Sequence, residues 1–203
     1  MKISFDIHDG SVLRTNYELL LKLKEHIPEM KVSLFFIPFD YEVEMSQLSL
    51  QRKNKLKLLK ENLDWIKLYP HGLMHIPREF EKADKKTTEL ALKAIDEAMS
   101  KDDLPYEKGF CAPFWLYNQD VVDVLDKHGW WMATDRNQPE ALKTKKVYTY
   151  SHSIDEEIKD FKENELKLHG HMGYPSANNL EDNLLNLLKV PKGDWVFIEE
   201  MVK

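Results

Sequence analysis

An α/β fold is the architecture this sequence predicts, and three observations predict it. Short β-branched and aromatic runs recur from end to end, longer amphipathic runs lie between them, and no linker or fixed-period repeat interrupts the 203 residues. That length suits one sizeable core, so residues 1–203 are expected to form a single domain. Periodicity alone leaves an open doubly wound sheet and a closed barrel both standing.

In chain order, strands are expected at Ile3–Asp6, Val32–Ile37, Ile66–Tyr69, Gly109–Cys111, Trp131–Thr134, Val147–Tyr150, Leu166–Leu168 and Trp195–Ile198. Several are rich in the side chains that fit a pleated, half-buried surface. Between them, Leu56, Leu59 and Leu63 fall at spacings of three and four, and Ala91, Ile95 and Met99 at spacings of four, which makes core-facing helical stripes. Asn118 precedes Val121, Val122 and Leu125 as a helix cap. Asn178 or Asn179 is placed to do the same for Leu180, Leu184 and Leu188. About seven strand–helix units result.

Charge and composition narrow the function. A formal net charge of -6 argues against a bulk electrostatic grip on nucleic acid, which needs a surplus of Lys and Arg on the contacting face. Cys111 is the only cysteine, so no internal disulfide forms. The first apolar segment, Ile3 to Ile7, is too short for a signal-peptide core, and no run approaches the roughly 20 apolar residues of a membrane span. A cytoplasmic protein is the expectation.

Polar clusters follow the predicted strands, where active sites of parallel α/β folds gather. The first strand runs into Asp6-Ile7-His8-Asp9-Gly10, the third into His71-Gly72-Leu73-Met74-His75, the fourth into Cys111-Ala112-Pro113-Phe114-Trp115, and another into His169-Gly170-His171. The chain has only 7 glycines, yet Gly10, Gly72 and Gly170 each adjoin one of these clusters. His71 and His75 are four apart, so on one helical turn both rings would share a face. Two imidazoles can reach one divalent ion, and a carboxylate from a distant strand end is the usual third ligand. Asp9 is the candidate.

Asp-Gly, then H-x-x-x-H, then Pro-Phe, then Leu-x-His, in that order along nearly the whole chain, resembles the NodB-type polysaccharide deacetylases of carbohydrate esterase family 4. The resemblance implies a distorted (β/α)7 barrel, one divalent ion, most suitably Zn²⁺, and hydrolysis of an N-acetyl group on an amino-sugar substrate. Carried over by motif, Asp9, His71 and His75 match the metal ligands. Pro113, Phe114 and Trp115 match the substrate groove, with the Phe114 N–H at the oxyanion. His169 matches the catalytic acid, and His171 beside it is expected to line the substrate cleft or to orient His169.

Two positions depart from the family pattern. His8 stands where the catalytic aspartate precedes Asp-Gly, and Asp6-Ile7-His8-Asp9 resembles the longer Asp-x-x-Asp pattern of some relatives, which favours Asp6 as the base with His8 close behind. On a regular strand Asp6 and His8 would face away from Asp9, so a bulge or turn is expected there. Cys111 stands where an arginine commonly pairs with that aspartate, so either Arg14 or Arg136 substitutes or the base lacks such a partner. The family's aspartate-tryptophan motif is not recognisable, although Trp130, Trp131 and Asp135 occupy its stretch. Trp115, Trp131 and Tyr174 offer flat faces for a sugar ring, whereas His26, His128 and His152 sit in no motif. Two further readings share these residues: a hydrolase acting on a small non-sugar amide, and a catalytically silent carbohydrate-binding relative.

Overall fold

A computed structural model describes residues 1–39, 46–137, 144, 146–158, 164–173 and 176–202 of the chain. Strands and helices alternate in the order β1 (Lys2–Gly10), α1 (Tyr17–His26), β2 (Val32–Phe36), α2 (Ser46–Lys60), β3 (Ile66–Pro70), α3 (Lys85–Lys101) and β4 (Gly109–Phe110). Then come α4 (Gln119–Lys127), β5 (Trp131–Thr134), β6 (Val147–Thr149), β7 (His152–Ser153), β8 (Glu165–His171), α5 (Leu184–Leu187) and β9 (Asp194–Trp195). Among the described residues every strand pair is parallel.

One path of strands runs β3-β2-β1-β8-β7 and another β4-β5-β6. A parallel bridge from His71 to Cys111 ties the end of β3 to that of β4. On the other side β6 passes directly into β7 through Tyr150 and Ser151, so the two act as one bent strand. The ring thus closes as a distorted (β/α)7 barrel. β9 fits beside the first residues of β1, with Lys2 opposite Asp194 and Ile3 opposite Trp195.

Two cores follow from the alternation of side chains along each strand. Ile3, Phe5 and Ile7 of β1 face outward into the layer shared with the helices, together with Leu34, Leu68, Ile95 and Leu125. Phe35, Tyr69, Cys111, Trp131 and Tyr148 pack with one another inside the barrel. Parallel strands covered on both faces normally read as unbroken apolar runs. β1 instead alternates, with buried Ser4, Asp6 and His8 between its apolar residues. The barrel interior is therefore polar along β1, and that face carries the site.

Of the predicted helical stripes, Ile95 and Met99 are buried on α3 and Leu59 on α2, while Leu63 lies in the turn beyond the end of α2. Asn118 caps α4, its Oδ1 accepting from the N–H groups of Asp120 and Val121. Three expectations need correction. Asn183, not Asn178 or Asn179, precedes the short α5. The last strand ends at Trp195, and Ile198–Met201 forms a 3₁₀ turn instead, held where the Ile198 N–H donates to Ser33 Oγ at 3.1 Å. Trp131 packs against Tyr69 and Phe35 in the inner core and offers no face to a ligand.

Gly109 lies opposite Trp131 in the β4–β5 pairing, and a Cβ there would sit 2.0 Å from the indole ring. Gly109→Ala is expected to displace that ring and cost about 1–3 kcal/mol, the usual penalty of overpacking a core. For a chain of this size that is a fall of roughly 2–12 °C in Tm, readable by calorimetry. An unchanged Tm would mean that the inner core is not packed around this indole.

Candidate functional site

At the end of β1 the register against β2 slips between Ile7 and Gly10. Asp9 takes a left-handed backbone conformation there, φ 62°, which aspartate tolerates better than most residues. This is the bulge that the sequence requires. It turns the Asp9 carboxylate away from the direction set by the strand and toward the end of β3.

His71 closes β3, and its Nδ1 donates to the Cys111 carbonyl at 3.1 Å, which leaves Nε2 as the outward nitrogen. Gly72 then turns the chain with φ +64°, and a Cβ on it would meet Glu79 and Pro113 at 2.5 Å. His75 has φ 57°, so the pair does not share a helical turn, contrary to the simplest reading of its spacing. A loop makes the approach instead. Glu79 Oε1 fixes that loop by accepting from the N–H groups of Leu73 and Met74 at 3.2 and 2.9 Å.

Asp9 Oδ1 lies 2.9 Å from His75 Nε2 and 3.3 Å from His71 Nε2. Burial works against the charge on Asp9, but the hydrogen bonds from His71 and His75 outweigh it and hold the carboxyl well below the usual carboxylate range. One carboxylate oxygen and two imidazole nitrogens within 4.8 Å of one another make a donor set suited to a borderline divalent cation. The residues present fit such an ion.

Behind this triad lies a second group on β1 and β8. Asp6 Oδ2 accepts from His169 Nδ1 at 2.6 Å, and Asp6 Oδ1 accepts from the Tyr148 hydroxyl at 2.9 Å. Tyr150 stacks on the His169 ring with centroids 4.3 Å apart. His8 Nε2 lies 3.2 Å from Asp6 Oδ2 but makes no hydrogen bond. Burial, then the neighbouring imidazoles of His169, His71 and His171, push the His8 pKa well below its ordinary value, so this ring is neutral at pH 7. His171 Nδ1 bonds Asn178 Oδ1 at 2.7 Å.

A cleft of about 810 Å³ opens over both groups. His8, Asp9, His75, Phe114, Trp115 and His171 are among its walls, whereas Asp6 and His169 stand behind them. Phe114 and Trp115 both adopt positive φ, 56° and 59°, conformations costly for aromatic residues and typical of sites where backbone is held for a purpose. The Phe114 N–H makes no hydrogen bond to any described residue. Pro113 is buried beneath them against Gly72.

No family model matches this chain, and no curated protein sequence does either. Solved structures do. The chitin deacetylase from the fungal pathogen Colletotrichum lindemuthianum matches at 15% identity and TM-score 0.64, over 98% of this chain and 86% of that one. The Xyl-CE4 domain of a multidomain xylanase from the hindgut metagenome of Trinervitermes trinervoides matches at 14% identity and TM-score 0.58, over 98% and 88%. The chain has the fold of the carbohydrate esterase family 4 deacetylases. A pseudoenzyme of that family from Bacillus anthracis shares it, at 13% identity and TM-score 0.60, over 98% of this chain and 64% of that one. At such identities the likeness establishes the fold, and the chemistry has to come from the residues.

Within the family 4 fold, the place of the expected arginine partner is taken differently. Arg136 pairs with Glu156 and the Ser151 carbonyl, so it does not serve Asp6. Tyr148 serves instead. Nothing in the sequence around this strand residue signalled that, nor that Tyr150 would stack on His169. Asn178, read as a helix cap, orients His171. His26 and His128 lie elsewhere, bonded to the Lys22 carbonyl and to Glu89. Tyr174 falls outside the described residues. Among the described residues no helix is long and apolar enough to cross a membrane.

Proposed function

We propose that this protein is a metal-dependent hydrolase that removes N-acetyl groups from an amino-sugar-containing substrate and releases acetate. The convergence of Asp9, His71 and His75 on the cleft, directly in front of the Asp6–His169 pair, carries this reading. A divalent ion such as Zn²⁺, held by those three residues, supplies Lewis acidity that polarises a carbonyl and acidifies water.

The protein's own groups divide the remaining work. His8, neutral and on the cleft wall, accepts the proton as water attacks the amide carbon. The Phe114 N–H donates to the oxyanion, where one such donor is typically worth roughly 10²–10³-fold in rate. Asp6 holds the Nδ1–H of His169, so the opposite nitrogen is the one able to carry a proton to the departing amine. The other candidate base, Asp6, is less well placed, because its oxygens already receive Tyr148 and His169. The exposed ring of Phe114 and the face of Trp115 border the space a sugar would occupy.

Metal-free protein reloaded with one equivalent of Zn²⁺ or Co²⁺ is expected to release acetate from N-acetylglucosamine oligomers or nucleotide-linked N-acetylhexosamines, and to lose that activity on chelation. Release from small formamides or ureides alone would move the substrate to the non-sugar amides. The commitment of Asp6 to its neighbours favours one second reading, a carbohydrate-binding relative without turnover. That reading takes over if reloaded protein binds an N-acetylated sugar and frees no acetate from any.

A further inference from the structure

β1 and β8 run in a register that sets Asp6 beside His169 and His8 beside His171. Side chains two apart on a strand share a face, so this register gathers three imidazoles on one patch of the barrel interior. Ring centroids lie 4.5 Å apart for His8 and His169, 4.8 Å for His169 and His171, and 5.4 Å for His8 and His171. One donor nitrogen from each falls within 4.8 Å of the others.

The second nitrogen of two of these rings is already engaged. His169 Nδ1 donates to the Asp6 carboxylate at 2.6 Å and His171 Nδ1 to the Asn178 side-chain oxygen at 2.7 Å. Such outer contacts fix a tautomer whose Nε2 lone pair points away from the partner, the arrangement seen around metal-bound histidines. His8 Nε2 is the remaining corner. It is buried and has no hydrogen-bond partner, because Asp6 Oδ2 lies off its line. A buried nitrogen left unsatisfied costs free energy that a ligand arriving there would recover.

We propose that His8, His169 and His171 form a second divalent transition-metal site, separate from the Asp9–His71–His75 triad and reached from the same cleft. Three imidazoles suit Zn²⁺ or Co²⁺, which nitrogen ligands hold at about 2.0–2.1 Å. A rival grouping of His8, His71 and Cys111 lies equally close together. His71 already belongs to the first triad, however, so that grouping is not available while the first cation is held.

Occupation has a chemical consequence. Two of the imidazoles that would hold this second cation, His8 and His169, are those assigned above to proton transfer, so the two uses exclude each other. The second site therefore limits turnover when metal is in excess. Its existence does not rest on the deacetylase reading, since any cation-binding role of the cleft would show it.

Titration of the metal-free full chain with Co²⁺, with bound metal counted after dialysis and the cobalt absorption spectrum recorded, tests this directly. Wild-type protein is expected to take two equivalents, Asp9→Ala one, His171→Ala one, and the double variant none. Asn178→Ala, which leaves all three imidazoles in place, is expected to keep two equivalents but weaken the second by about 10–100-fold. Saturation at one equivalent that Asp9→Ala abolishes would overturn the proposal, as would a second equivalent that persists in His171→Ala. Acetate release by protein loaded with a single equivalent reports separately on the deacetylase reading.

Discussion

Asp9→Ala is expected to abolish cation binding at the first triad and, with it, hydrolysis. Asp9 is the only carboxylate of that donor set, and its Oδ1 faces both Nε2 atoms at 2.9 and 3.3 Å. Outer-shell partners of metal sites are worth roughly 10–100-fold in affinity, and a direct anionic ligand exceeds that. Loss of the Lewis acid removes several kcal/mol of transition-state stabilisation, or roughly 10³-fold in rate. Alanine also fits poorly at φ 62°, so a folding defect has to be separated from a ligand defect. Asp9→Asn makes that separation, because asparagine tolerates the left-handed conformation and keeps the size while removing the charge. Both variants should fold, by circular dichroism and Tm, and both should lack first-site metal by elemental analysis. Full metal in Asp9→Asn with normal turnover would remove Asp9 from the coordination set.

Motif order along the chain makes most of this candidate site legible in the sequence. Asp9 and His169 fall in the last three residues of β1 and β8, His71, His75 and Pro113-Phe114 come after β3 and β4, and parallel strands deliver their C-terminal ends to one rim. The alternation in β1 also exposed its polar face, since Ser4, Asp6 and His8 interleave with Ile3, Phe5 and Ile7. Local conformation was harder to read. The four-residue spacing of His71 and His75 fits a helix equally well, and only the positive φ of Gly72 and His75 turns that spacing into a loop. Asn178 was ambiguous for a related reason, because an amide that caps a helix and one that orients an imidazole look alike in sequence.

Contacts between distant strands were not legible at all. Tyr148 reaches Asp6 across 142 positions of chain, a pairing set by barrel closure rather than by any local pattern. The same closure explains how the protein accommodates Cys111. A small, uncharged side chain there leaves the inner core apolar beside Phe35 and Trp131, and a tyrosine hydroxyl satisfies the carboxylate without a second buried charge. His8 then stands on the cleft wall as a neutral imidazole in the position of the missing aspartate. The departures from the family pattern are thus mutually consistent: less buried charge, and an imidazole where a carboxylate would stand.

His169→Ala carries the second large effect, and it separates acid catalysis from metal binding. His169 touches Asp6, Tyr150, His8 and Trp115 but none of the three first-triad residues by hydrogen bond. With one equivalent of Zn²⁺ the variant should retain first-site metal, while kcat on an N-acetyl sugar falls roughly 10²–10⁴-fold, the usual worth of a positioned general acid or base. KM should move little, because the lost interaction develops only as the C–N bond breaks. Removing the ring also deprives the buried Asp6 of a donor, so a loss of about 1–3 kcal/mol in stability is expected and is monitored by Tm. A change of leaving group distinguishes these effects. An amine must be protonated to depart, whereas a nitrophenolate leaves as a stable anion, so the defect should shrink toward unity on 4-nitrophenyl acetate. An equal loss on both substrates would show that His169 acts before bond cleavage, and loss of first-site metal would place it in the coordination sphere instead.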